Sequence, residues 1–401
     1  MKTRILHSHK PGHYGPAAPE GERALIAAIR SRVRTRQTFE TTLRQGIGDD
    51  CAILRPPGKS EIVVTTDFSL EYIHFRRDWH TPESAGHRCL ARGLSDLAAM
   101  GARPLAAFLS LAIPSQLNLP GEQKTWVQRF FDGLLALANR HKVPLAGGDT
   151  AQSPEFDCHG DTLSSVSADI VLLGSVKRGH ALLRSGARPG DIIYVTGELG
   201  GAAAELMALE RNPDRFARLT KASESHPHLY PEPRINIGLR LVAGKKTHSA
   251  IDLSDGLSTD LLHICEESDL SAELDAAAIP IHALANRAET QGWVPSALDL
   301  ALDGGEDYEL LFTAPKWSKF PRKIAGVNIH PIGQMLPTGP RRHPRISIRE
   351  HSGKLRALEP GGWEHFHEAP AHPLLLVSSK QSWMFESRAS GLRLRPPGCC
   401  T

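Results

Sequence analysis

The sequence is poor in several features that would assign its class at once. Its six cysteines include no Cys-x-x-Cys pair: Cys51, Cys89, Cys158 and Cys265 lie far apart, and Cys399 and Cys400 adjoin near the C-terminus. That spacing argues against a zinc site and suits reduced thiols in a cytoplasm. Apolar runs are strand-sized, as at residues 170–173, far short of the roughly 18 residues a membrane span requires. Near the N-terminus Lys2, Arg4 and Lys10 are followed by proline, histidine and glycine where a secretion signal would carry its apolar segment. Aromatic residues make up 6%, and a formal net charge of +3 over 401 residues gives no case for a nucleic-acid partner. No Gly-x4-Gly-Lys-Ser/Thr run exists, which removes a P-loop. The glycines at 197, 200 and 201 could cradle phosphate but lack the full dinucleotide fingerprint.

What is present is an ordinary globular composition, 40% hydrophobic and 23% charged, in a chain long enough for two or three domains. Residues 1–20 read as a flexible leader and 371–401 as a flexible basic tail. An amphipathic helix with Leu25, Ile26 and Ile29 follows the leader, and residues 62–67 have the β-branched enrichment of a buried strand. Thr81 as N-cap, Pro82 at the first helical position, Leu90, Leu94 and Leu97 at helical spacing and Gly101 as a stop define a helix with Asp96 in its last turns. Strands are expected at 105–113, 143–146, 169–176, 191–196, 250–252 and 308–313, and helices at 123–141, after Gly201 and through Ile264. A loop rich in Ser and Asp is expected after Asp149. Gly179, Gly186 and Pro189 suggest a boundary, giving domains at 21–177 and 178–370. Strands and helices mix in both halves, which makes the fold class α+β.

The chemistry is signalled by carboxylates placed beside glycines and strand ends. Asp49 and Asp50 follow Gly46-Ile47-Gly48, Asp67 ends a strand, and Asp149 follows Gly147-Gly148. Asp252 and Asp255 bracket Ser254 before Gly256, and Glu306 and Asp307 follow Gly304-Gly305. Any one of these could be a turn or cap residue, and Thr65 and Thr66 could be plain strand formers. Together they are too many acids beside apolar strands to go uncompensated, and few Lys or Arg lie near them in sequence. Mg²⁺ suits such a set, since it takes one or two carboxylates per ion, keeps waters and fills its shell with substrate phosphates.

Seven runs in order, Gly46-Ile47-Gly48-Asp49-Asp50-Cys51-Ala52, Thr65-Thr66-Asp67, residues 94–101 (Leu-Ser-Asp-Leu-Ala-Ala-Met-Gly), Gly147-Gly148-Asp149-Thr150, Arg184-Ser185-Gly186-Ala187, Ile251-Asp252-Leu253-Ser254-Asp255-Gly256 and residues 304–310 (Gly-Gly-Glu-Asp-Tyr-Glu-Leu), resemble those of the thiamine-monophosphate kinases. The resemblance extends from about residue 20 to 368. That family belongs with aminoimidazole ribonucleotide synthetase and selenophosphate synthetase, ATP users without a P-loop. The resemblance implies an N-terminal mixed sheet with helices that forms a homodimer, a C-terminal α/β sandwich, and an ATP site between them. It also implies phosphorylation of thiamine monophosphate by ATP with several Mg²⁺ ions, in the cytoplasm.

Position by position, it implies metal ligands at Asp50, Thr65, Thr66, Asp67, Asp96, Asp149, Asp252 and Asp255, in part through backbone oxygens at the threonines. It implies ATP contacts at Gly148, Asp149, Arg184 and Ser254, and thiamine contacts at His74, Glu306 and Trp363, with no general base. Residues 151–167 depart from the family pattern, and the family often carries a different aromatic at the position of Trp363. Alternatives are another ATP-using enzyme of the superfamily or a nucleotide-binding protein with a degenerate site. His74, Glu306 and Trp363 and the presence of every motif acid speak against both.

The small net charge is an average over unlike parts. Residues 1–45 carry nine Lys/Arg and three Asp/Glu, and residues 371–401 carry four and one, leaving −6 for residues 46–370. A segment that binds two polyanions is thus itself acidic, which is the wrong sign unless cations intervene.

Overall fold

The computed structural model describes residues 22–36, 42–45, 53–119, 124–158, 161–213, 225–318, 320–338 and 345–363. The leader 1–20, Asp50 and the tail 371–401 lie outside the described residues. The first half contains α1 (Glu22–Arg36), β1 (Leu43–Gln45), β2 (Ile53–Leu54), β3 (Ser60–Leu70), α2 (Pro82–Ala99), β4 (Arg103–Ile113), α3 (Trp126–His141), β5 (Leu145–Gln152), β6 (Glu155–Cys158), β7 (Asp161–Ser164) and β8 (Ser167–Lys177). The second contains β9 (Asp191–Thr196), α4 (Gly201–Arg211), α5 (Ile235–Gly244), β10 (Ser249–Asp252), α6 (Leu257–Glu267), β11 (Leu270–Asp275), α7 (Ala283–Thr290), α8 (Ala297–Asp303), β12 (Leu310–Pro315), β13 (Lys323–Ile324), β14 (Val327–Pro337), β15 (Ile346–Arg349) and β16 (Leu355–Ala357).

The N-terminal sheet has the order β3-β8-β4-β5, antiparallel except for the β4–β5 pair. Alternation along its strands gives it two unlike faces. Leu109, Leu111, Ile170 and Leu172 face Leu90, Leu94, Leu97, Phe130 and Leu134 of α2 and α3 in one core. On the opposite face of edge strand β3, Ile62, Val64 and Phe68 stay exposed. The start of α2 is fixed as its sequence predicts: Pro82 is at N1 and the Thr81 hydroxyl accepts from Ser84 N at 3.1 Å.

The C-terminal sheet runs β10-β12-β9-β14-β11-β15-β16, with β13 beside β14. Here too alternate residues serve different layers. Ile193, Val195 and Leu311 pack with Leu261 and Ile264 of α6. Tyr194 and Phe312, stacked with centroids 5.1 Å apart, join the same core as α2 and α5. The N-terminal core therefore continues into one face of the C-terminal sheet. Gly238 of α5 lies so close to α2 that a Cβ there would sit 2.0 Å from the Ala98 carbonyl oxygen. Residues 178–190, where a boundary was expected, follow the end of β8.

Several expectations shift. The helix expected over 123–141 begins at Trp126, because Thr125 and Gln128 form a capping box. The strand expected from Tyr308 begins at Leu310, since Glu306 and Tyr308 have positive φ of 57° and 50° and turn the chain first. The strand reaching Gly147 continues as β5 to Gln152, and the expected Ser/Asp loop contains the β6–β7 hairpin. No helix among the described residues is long and apolar enough to cross a membrane.

Candidate active site

One face of α2 organises the site. Arg88, Arg92 and Asp96 recur at i, i+4 and i+8, one above another along about 12 Å of helix, with Ser95 beside the last. At the C-terminal end, Asp96 receives the Thr65 hydroxyl of β3, and Ser95 Oγ donates to Asp252 Oδ2 of β10 at 2.6 Å. Asp67, two residues along β3 from Thr65, turns to the same side. Burial, then repulsion from Asp96, pushes the Asp67 carboxyl up to about 7. Burial, then Asp96 and Asp67, does the same to Asp252, also to about 7. Asp96 is raised by burial, with the Thr65 hydroxyl and Arg184 among the groups that oppose the shift. Asp67 Oδ2 is buried and has no hydrogen-bond partner among the described residues.

At the other end of the stripe a carboxylate is treated in the opposite way. Burial works against the Glu306 charge, yet Arg88, His228 and Arg92 hold its carboxyl well below the usual range. Arg88 NH2 donates to Glu306 Oε1 at 2.7 Å and to the His74 carbonyl at 3.1 Å. His80 Nδ1 lies 3.1 Å from both the amide nitrogen and the carbonyl oxygen of Arg76, and His80 Nε2 lies 2.9 Å from His228 Nε2. His228 Nδ1 lies 3.1 Å from Glu306 Oε2 and 3.1 Å from Arg88 NH1. Burial lowers both imidazoles, which favours their neutral forms. Ser84 Oγ and His87 Nε2 bind the carbonyls of Leu229 and Pro231, fastening the His228 segment to the start of α2.

Two loops close the site from the C-terminal half. Glu306 N donates to the Ser254 carbonyl at 2.7 Å, and Tyr308 N to that of Leu253 at 2.9 Å. Asp260 accepts from the backbone amides of Ser254, Asp255 and Gly256. Trp363 N donates to the Asp255 carbonyl at 3.1 Å, and the residue is 44% exposed. Asp307 turns away to accept from Gly200 N and Ala202 N, so the start of α4, a possible phosphate cradle by its glycines, is already capped by a carboxylate.

The structure thus brings together Thr65, Asp67, Asp96 and Asp252, with Arg184 near enough to act on Asp96, and sets His74 and Glu306 at the opposite end around Arg88. Thr66 and Asp149 go elsewhere. Thr66 points to the open face of the sheet and donates to Asp169 at 2.6 Å. Asp149 pairs in register with Ser110, itself opposite Asp169, which puts it in that same row, exposed. Gly148 before it admits no side chain, since a Cβ would lie 1.9 Å from the Leu109 carbonyl oxygen. The motifs do not single out Arg88, Arg92, Ser95, His228 or Asp260. The i, i+4, i+8 spacing of Arg88, Arg92 and Asp96 is a usable signal for the first two; His228 has none. Few bases lie near the acids in sequence, yet at Glu306 the fold supplies one: Arg88, 218 positions away.

Among the described residues, no three His, Cys, Asp or Glu side chains enclose an ion by themselves. The donor set nevertheless fits Mg²⁺ as a shared, partly hydrated guest. Asp67, Asp96 and Asp252 repel one another, though Asp67 and Asp96 also share a side-chain hydrogen bond, and the buried Asp67 Oδ2 has no hydrogen-bond donor among the described residues.

Residues 48–171 match the family described as AIR synthase related protein, N-terminal domain, and residues 188–340 its C-terminal domain. The thiamine-monophosphate kinase of Escherichia coli strain K12 is 40% identical over 324 residues, 79% of this chain and 90% of that one. The crystal structure of thiamine-monophosphate kinase from Stenotrophomonas maltophilia K279a superposes with a TM-score of 0.67 at 33% identity, covering 82% of this chain and 96% of that one. A structure of AaThiL complexed with AMPPCP and TMP superposes with a TM-score of 0.61 at 26% identity, covering 86% and 97%.

Proposed function

This chain belongs to the thiamine-monophosphate kinase family, and from that premise we propose that it transfers the γ-phosphoryl group of ATP in line to the phosphate of thiamine monophosphate, giving thiamine diphosphate and ADP. The observation that carries this reading is the single stripe of α2 that joins a crowded acidic end to a fully paired Glu306. An oxygen of the acceptor phosphate forms a bond to the γ-phosphorus as the bond to the ADP oxygen breaks. A phosphate monoester is largely dianionic near neutrality, so no general base is needed.

Several Mg²⁺ ions, held by Asp67, Asp96 and Asp252 with Asp50, Asp255 and backbone oxygens of Thr65 and Thr66 as further ligands, would neutralise the two polyanions and align their oxygens; Asp149, on the other face of the sheet, could join only a separate ion. Gly148, Asp149, Arg184 and Ser254 would contact the nucleotide, and Arg184 lies on the acidic side that this requires. Glu306, kept charged by Arg88 and His228, offers a fixed anion to the cationic thiamine, with His74 and Trp363 beside it. We assign the domains to 21–177 and 178–370. The chain would act as a homodimer through the open face of the N-terminal sheet, where Ile62, Val64 and Phe68 are uncovered; sedimentation of the purified protein distinguishes dimer from monomer.

The deciding assay supplies purified protein with ATP, MgCl₂ and thiamine monophosphate and follows thiamine diphosphate by chromatography. Product formation is expected. Turnover of thiamine or an aminoimidazole precursor in its place would overturn the reading.

A further inference from the structure

We propose that Arg92 binds the phosphate of the acceptor substrate and so sets the preference for thiamine monophosphate over thiamine; this rests on the kinase reading. Arg92 stands midway along the α2 stripe, one turn of about 6 Å from Arg88 and from Asp96. Its guanidinium lies between the two ends of the site, with NH2 3.8 Å from Asp67 Oδ1 and NH1 3.8 Å from Glu306 Oε1. Both distances are within the reach of Coulomb attraction and beyond that of a hydrogen bond, which needs about 2.7–3.2 Å. Its Nε is buried and has no partner among the described residues.

Two other arginines near the start of α2 and on α3 are held more closely. Arg88 donates to Glu306 at 2.7 Å, and Arg129 grips Glu83 with two bonds of 2.7 and 2.8 Å. The Arg92 side chain is 18% exposed, and of its donors the buried Nε has no acceptor among the described residues. A buried guanidinium N–H without an acceptor is costly unless an anion completes it.

The chemistry specifies which anion. Along the cleft the order must be the organic cation at Glu306, then the acceptor phosphate, then the transferring group and nucleotide at Asp67, Asp96 and Asp252. Arg92 occupies the second place. There its planar fork can hold two non-attacking oxygens of the monoester while the third attacks the γ-phosphorus and ADP departs, with no proton moved. Arg88 cannot take this part because its donors are committed to Glu306, His228 and His74.

The test compares full-length wild type with Arg92→Ala, Arg92→Gln and Arg92→Lys, by calorimetric titration with thiamine monophosphate and with thiamine in MgCl₂, alongside steady-state kinetics. In Arg92→Ala and Arg92→Gln, Kd and KM for thiamine monophosphate should rise about tenfold or more, while Kd for thiamine and KM for ATP stay within about twofold. Arg92→Lys should recover part of the loss. Equal weakening of both thiamine ligands, no weakening, or a loss confined to ATP overturns the assignment. Arg92→Gln keeps most of the side-chain volume and carries the comparison if the alanine variant does not fold. Wild type that forms thiamine diphosphate with variants that keep its preference removes Arg92 alone; wild type that forms none removes the kinase reading and this assignment with it.

Discussion

The two ends of the α2 stripe hold buried carboxylates in opposite states. Asp67, Asp96 and Asp252 repel one another and are raised, while Glu306, in the same cleft, is lowered by Arg88 and His228. The residue type is nearly the same and burial acts on both. What differs is whether the protein supplies the countercharge. At Glu306 it does, through Arg88, Arg92 and His228. At the acidic end Arg92 and Arg184 supply only part of it, and the proposed Mg²⁺ ions would supply the rest.

Removing one acid from the crowded end should separate activity from stability. Asp67→Asn is expected to lower kcat on the order of a thousandfold, since a ligand to the ions is lost. The metal-free variant should melt no lower than wild type, because a repelling buried charge has gone. A lowered melting temperature, or wild-type turnover, would contradict this contrast between the two ends. Arg88→Ala should behave in the reverse sense. It strands Glu306 and unlocks the His228 segment, costing about 3 kcal/mol, read as a fall in denaturation midpoint with or without Mg²⁺.

The pH dependence of metal-free protein sharpens the same point. Asp67 and Asp252 are raised to about 7, against roughly 3.9 when unfolded, so between these values the folded chain holds protons that the unfolded chain has released. Their contribution to stability is full below about pH 4 and lost as pH rises through about 7. Thermal melts in EDTA should fall over that window, and MgCl₂ should flatten the slope; a rising profile in EDTA would be the contrary result. The smallest effect is expected at Trp363, which is partly exposed: Trp363→Ala should raise KM for thiamine monophosphate several-fold with kcat within about twofold, measured in the same assay.

Much of the acidic end is legible in the amino-acid order alone. Asp252 ends a strand and Asp96 lies in a helix whose cap, Thr81-Pro82, is written in the sequence, while Asp67, expected to end a strand, lies within β3, which runs on to Leu70; the excess of these acids over nearby bases already points to cations. The paired end is not legible in that way. Arg88 and Arg92 read as basic residues of an amphipathic helix, and nothing local joins His228 to Glu306, 78 residues on. Thr65 and Thr66 make the same point within two adjacent residues. Alternation requires them to face opposite ways, but only packing decides that α2 covers the side of Thr65 and leaves Thr66 with Asp169 on the open face.

Caps, turns and periodicity act over a few residues, so the order of amino acids is enough to specify most of the elements, the inventory of acids and their unbalanced charge. Which acids meet one another, which meet arginine, and where one arginine is left short of acceptors are properties of the packed molecule. They depend on distances between α2, β3, β10 and the loops at 225–234 and 304–309, and only burying the shared core of the two sheets sets such distances.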